Sequence, residues 1–136
     1  MTTIGVDALS QAVSAVEQGL VEANAHCSLS TVRDGVIRRF AIAIDLSWKT
    51  LLRTLRDVYD VSEVSLRSKI DVFREAVRTG LIDDAERWNL HWEARNETTH
   101  LYDAAVAEAV FAHIPAFSVD ARALVTRLSD VARRPS

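Results

Sequence analysis

The sequence contains one cysteine, two prolines and four glycines in 136 residues. A lone thiol, Cys27, rules out an internal disulfide and fits a reducing compartment. So few chain breakers argue against short strands joined by tight turns and leave room for long helices. No apolar run approaches the roughly 18 residues that suggest a membrane-spanning helix. The opening residues, Met1-Thr2-Thr3-Ile4-Gly5-Val6-Asp7, lack the basic and apolar regions of a secretory signal. A cytoplasmic protein without a membrane partner is therefore expected. There is no glycine-rich phosphate loop, which argues against nucleotide binding in the P-loop or dinucleotide-fold manner. His26, His91, His100 and His113 form no His-x3-His pair, and Cys27 no Cys-x2-Cys group, so neither metal nor cofactor is expected. Cys27, beside His26 in a polar stretch, lacks an orienting partner and reads as a passive thiol.

With 49% hydrophobic and 26% charged residues, the composition is that of a folded domain. The length predicts one domain over 1–136, with its core from about 7 to 133. A net charge of −3 disfavours a general nucleic-acid coat protein. A local basic stretch is nevertheless present: Arg33, Arg38, Arg39, Lys49, Arg53 and Arg56 have few acids among them. A solvated helix face is the plain account of that stretch.

Hydrophobic spacing predicts an all-α fold, an antiparallel helical bundle of five or six helices. Leu9, Val13, Val16, Leu20 and Val21 mark a first helix over about 7–25. Val36, Ile37, Phe40, Ile44, Trp48, Leu51, Leu55 and Val58 form one stripe on a long second helix, from a cap near Ser30 to about Tyr59. A third helix, about 66–79, should bury Ile70, Phe73 and Val77, with Gly80 in the left-handed position after it. Asp83 or Asp84 can cap a fourth helix carrying Trp88, Trp92, Arg95 and Thr99, and Asp103 can cap a fifth. Pro115 should end that fifth helix or begin the next connection. A last helix then runs from about 119 to 133 and presents Leu124, Val125, Leu128 and Val131.

Chemistry concentrates in Arg95-Asn96-Glu97-Thr98-Thr99-His100-Leu101-Tyr102. At 100° per residue Asn96 and His100 share a face, whereas Arg95 lies about 140° from His100. Arg95 and His100 therefore converge only if the helix loosens near Thr98-Thr99 or a second chain supplies one of them. Such a group suits phosphoryl transfer on RNA without a metal. Imidazole titrates near neutrality and can move the proton of a 2′-hydroxyl or of a leaving 5′-oxygen. A guanidinium pairs with the phosphate oxygens as charge builds, and Asn96 can orient either group. One histidine serves poorly as both acid and base, and a two-fold dimer would supply two. The alternative is structural: an arginine and a histidine that complement a helix C-terminus.

Two blocks give the chain a family likeness. Arg33-Asp34-Gly35-Val36-Ile37-Arg38-Arg39-Phe40, continuing through Asp45-Leu46-Ser47-Trp48-Lys49, resembles the long helix of the HEPN domains encoded beside minimal nucleotidyltransferases. Arg95-Asn96-x3-His100-x-Tyr102 is similar to the Arg-x4-His-x-Tyr signature of that family. The resemblance implies a bundle that forms a homodimer, with Arg95 and His100 as the catalytic pair of a metal-independent endoribonuclease acting on RNA. It also implies a toxin silenced by a cognate minimal nucleotidyltransferase antitoxin, which transfers AMP to Tyr102. Some relatives are only non-catalytic substrate-binding subunits of a nucleotidyltransferase complex. One departure stands out: the long helix commonly carries two acids where this chain has Ala41 and Asp45.

Overall fold

The computed structural model describes residues 5–25 and 30–134. His26 and Cys27 lie outside the described residues. Among the described residues, five α-helices form the antiparallel bundle: α1 (Val6–Ala25), α2 (Ser30–Asp57), α3 (Lys69–Arg78), α4 (Ala85–Glu97) and α5 (Ala104–Arg133). Short 3-10 turns at Glu63–Leu66 and Thr98–His100 lead towards α3 and α5.

The stripe on α1 buries Leu9, Val13 and Val16, while Val21 is left exposed. Gly19 lies buried where α1 meets α2, and a Cβ there would come within 3.1 Å of both Val36 Cγ2 and Arg39 Nη1. Close approach of the two helices thus favours glycine, because a larger residue would need Val36 or Arg39 to give way by a few tenths of an ångström. Arg39 fastens the same contact by donating to the Ala15 carbonyl at 2.9 Å.

On α2 the residues Val36, Ile37, Phe40, Ile44, Leu51 and Leu55 face the core as their spacing predicts. Trp48 is only half-buried, and Val58 lies exposed just past the helix end. Ser47, Thr50 and Thr54 are also buried. Each satisfies its hydroxyl by donating to the carbonyl four residues back, at 2.7–2.8 Å, so small polar side chains pack there without an orphaned donor. Edge-to-face aromatic pairs join the layers. Phe117 on α5 meets Phe40 on α2 at 4.9 Å and Trp88 on α4 at 6.0 Å between ring centroids.

Two expectations need correction. The third helix starts at Lys69, because Ser68 caps it by accepting from the Asp71 N–H at 3.2 Å. Leu66 belongs to the preceding turn, and Val77 points outward while Val72, Phe73 and Ala76 fill the core. Gly80 does hold the left-handed conformation, with φ +82°. The second correction is larger. Pro115 does not end a helix, and α5 runs unbroken through it. Burial of Ile114 and Phe117 on either side holds the helix together despite the missing N–H. By composition α5 is long and apolar enough to cross a membrane, but Val110, Ile114, Phe117, Leu124 and Leu128 are spent in the core of the bundle.

Replacing Pro115 with alanine restores a donor opposite the Phe111 carbonyl. An interior proline costs a helix roughly 3 kcal/mol, partly returned by a stiffer unfolded chain. Since α5 has already packed around the proline, Pro115→Ala is expected to stabilise the fold by about 1 kcal/mol in urea denaturation. A midpoint that stays put or falls would contradict this account.

Candidate active site at the end of the fourth helix

The polar segment occupies the junction of α4 and α5. Asp84 starts α4 by accepting from the Glu86 and Arg87 N–H groups. At the other end the helix tightens. The Thr98 N–H reaches the Arg95 and Asn96 carbonyls. The Thr98 hydroxyl donates to Arg95 O at 2.6 Å, and the Thr99 hydroxyl to Asn96 O at 3.1 Å. Two threonines in a row thereby draw the last turn into the 3-10 form of Thr98–His100. Asp103 then caps α5 through the Ala105 N–H at 2.9 Å.

Tightening is the opposite of the loosening that would bring Arg95 and His100 together. Three 3-10 steps of about 120° replace three of about 100°, which carries His100 further round, to about 160° from Arg95. The two side chains have separate partners. Arg95 forms a side-on fork with Asp45 of α2, Nε to Oδ1 at 3.0 Å and Nη2 to Oδ2 at 3.3 Å. Hydrogen bonding to Asp45, opposed by burial, raises the guanidinium pKa still further, so the charge is permanent. The guanidinium carbon also stands 5.7 Å from the centre of the Trp92 ring. His100 instead meets Tyr102, whose hydroxyl lies 3.4 Å from Nδ1, and Tyr102 is 85% exposed. Asn96 is exposed on the last turn of α4. A single chain thus places Tyr102 beside His100 but does not join Arg95 to His100.

Around the fork, Trp48 and Trp92 lie 6.1 Å apart, with the Lys69 ammonium 4.1 Å from one ring centre and 4.9 Å from the other. This cation–π stack fixes the wall against which Arg95 rests. The Trp48 Nε1–H is buried there without an acceptor among the described residues. Asp45 was visible in the sequence as one of the two family acid positions. Its pairing with Arg95 was not, since the two stand fifty residues apart.

A second polar group went unnoticed in the sequence because it spans two helices. His91 of α4 is 1% exposed, and its Nδ1 lies 2.6 Å from Nε2 of His113 on α5. Its Nε2 lies 2.7 Å from Oδ2 of Asp120, and Arg87 closes on that carboxylate at 2.9–3.1 Å. Burial lowers the pKa of both histidines. With both neutral, His113 donates to His91 and His91 donates to Asp120, which fixes each tautomer. His113 also borders an apolar groove of about 550 Å³ between α4 and α5, walled by Leu90, Ala94, Val106 and Val110. The clue in the sequence was two polar pairs, Arg87 with His91 and His113 with Asp120, at helical spacing on faces that also carry Trp88 and Phe117.

An all-helical bundle that carries Arg95, His100 and Tyr102 where its fourth helix gives way to its fifth matches the HEPN type of domain. The chain belongs to the nucleotidyltransferase substrate binding protein-like family, whose model matches residues 5–130. It is 34% identical over 99 residues to the Probable ribonuclease HepT of Haemophilus influenzae, covering 72% of this chain and 68% of that protein. A solved structure from the same organism, described as revealing the fold of a substrate binding domain of a nucleotidyltransferase, superposes with a TM-score of 0.82. That pair shares 29% identity and covers 91% of this chain and 98% of the other.

Proposed function

We propose that this chain is a HEPN-type toxin: a metal-independent endoribonuclease that acts as a two-fold dimer in the cytoplasm and is silenced when a cognate nucleotidyltransferase transfers AMP to Tyr102. The observation that carries this reading is the division of roles at the end of α4. Arg95 is held by a two-pronged carboxylate with part of its donor set left over, and His100 stands exposed at the turn beyond it. In one chain the two diverge, so a dimer that faces two copies across one cleft supplies the convergence. Similarity to a protein named as a probable ribonuclease supports the reaction class.

In the proposed reaction, one His100 takes the proton of a 2′-hydroxyl as its oxygen attacks the neighbouring phosphorus. The bond to the 5′-oxygen breaks, and His100 of the second copy protonates that oxygen. Arg95 binds the non-bridging oxygens as charge gathers on them, and Asn96 orients the imidazole or the phosphate. Transfer of AMP to Tyr102 joins its phenolic oxygen to the α-phosphorus of ATP and expels pyrophosphate. Because the hydroxyl already approaches His100 Nδ1, the added nucleotide would occupy the space that substrate needs.

Purified protein incubated with RNA in EDTA is expected to yield fragments ending in a 2′,3′-cyclic phosphate and a 5′-hydroxyl. Incubation with the partner enzyme and ATP should add one AMP at Tyr102 and stop cleavage. The similarity to a nucleotidyltransferase substrate-binding fold supports a second reading, a non-catalytic subunit of a nucleotidyltransferase complex. A stable complex with that enzyme, together with RNA left intact by the free protein, would favour the second reading.

A further inference from the structure

Resting on the ribonuclease reading, we infer that the outer face of α2 is a track for the backbone of single-stranded RNA, with the Arg95–Asp45 fork set within it. Arg38, Ile42, Asp45, Lys49 and Arg53 follow one another at spacings of three and four and so form a single stripe. This stripe lies opposite buried Phe40, Ile44 and Leu51. Arg38, Lys49 and Arg53 are exposed, and Ile42 is 49% exposed. At 1.5 Å per residue, Arg38 stands about 10 Å from Asp45 along the axis, with Lys49 about 6 Å and Arg53 about 12 Å the other way. Positive charge therefore flanks the fork on both sides.

What separates these cations from most of the others is that they are unspent and share one stripe. Arg78, Arg87, Arg122 and Arg127 are tied into ion pairs. Even in the basic stretch of α2, Arg33 is committed to Asp34 and Glu108, Arg39 to a carbonyl, and Arg56 to Glu63. Arg38, Lys49 and Arg53 have no ion pair or hydrogen-bond partner among the described residues. Asp45, the acid in their midst, is neutralised by Arg95. A chain of net charge −3 must attract a polyanion locally, and an uncompensated row of cations does this.

The track recognises charge rather than sequence. Lys69 covers Trp48 and Trp92, and Arg95 also lies against Trp92, so these rings offer no bare platform for a base. Phosphate contacts of this kind set register and affinity without reading bases. They also leave a salt signature, because each neutralised phosphate on a single strand releases counterions.

The test is fluorescence anisotropy with a labelled RNA oligonucleotide whose 2′-O-methyl riboses cannot cyclise. Each of Arg38→Gln, Lys49→Gln and Arg53→Gln is expected to lower the slope of log binding constant against log salt by about 0.7, and the triple variant by about 2. Arg67→Gln and Arg74→Gln are the controls, since both cations are exposed and unpaired among the described residues but lie off the stripe. They should leave the slope unchanged. Equal losses in the controls would reduce the effect to net charge and overturn the track. A wild-type slope in the triple variant would overturn it as well, including the case where that variant loses the nucleotidyltransferase and keeps RNA. The two readings fail separately: binding that needs the stripe without any cleavage leaves the track standing alone. Arg95-dependent cleavage with an unchanged slope leaves only the ribonuclease, and neither binding nor cleavage overturns both.

Discussion

Replacing His100 with alanine is expected to abolish RNA cleavage, a loss of roughly a hundred- to ten-thousand-fold for removal of a general acid–base group. Folding should be untouched, because His100 is exposed and its one side-chain hydrogen bond among the described residues goes to Tyr102. Arg95→Ala should cost a comparable factor, roughly a hundred- to a thousand-fold, through lost stabilisation of the charged phosphorus centre. Its structural cost is small, since Arg95 and Asp45 are each about one-third exposed and such pairs contribute on the order of 1 kcal/mol or less. The informative companion is Asp45→Asn. Asp45 touches no reacting atom in the proposed mechanism; it positions Arg95. Removing its charge should slow cleavage while binding to uncleavable RNA holds or tightens, because one negative charge leaves the stripe. Asp45→Glu should recover part of the rate. Cleavage that persists in both His100→Ala and Arg95→Ala would end the ribonuclease assignment, and weaker RNA binding in Asp45→Asn would end the positioning role.

How much of this was legible in the sequence follows from the range of each interaction. Most of the α2 stripe, the Asp103 cap and the left-handed Gly80 depend on neighbours within a turn or so, and spacing and residue type revealed them. Pro115 misled because its local preference was outweighed by burial of Ile114 and Phe117, which only the assembled bundle supplies. Val77 misled for a related reason: once Ser68 sets the start of α3, Val72, Phe73 and Ala76 take the inner face. At the site, the residues of the polar segment could be read because they are contiguous. The direction of each side chain could not. Two threonine hydroxyls tighten the turn, and Asp45 claims Arg95 from another helix. The chain from His91 to Asp120 left only a faint trace, since each helix shows half of it.

That buried chain makes the fold sensitive to acid in a predictable direction. Burial lowers the pKa of His91 and His113, against the pull of Asp120 and with the added push of Arg87. Both rings are thus neutral in the folded state at pH values where the unfolded chain, with an ordinary histidine value of 6.5, already binds protons. Stability should therefore be flat above about pH 7 and fall as pH drops below 6.5, by at most about 1.4 kcal/mol per pH unit for His91. The loss levels off once pH passes below the depressed value, where the folded state takes up the proton as well. His91→Phe removes that titration at similar size. At neutral pH it should destabilise the bundle by about 2 kcal/mol, because Nε2 of His113 loses its acceptor and Asp120 is left with Arg87 alone. Between pH 7 and pH 5 its stability should then decline less steeply than that of the wild type. Thermal melts across that interval are the measurement. A wild-type midpoint that does not move, or an equal decline in His91→Phe, would mean that the neutral His91–His113 pair is not what the acid disturbs.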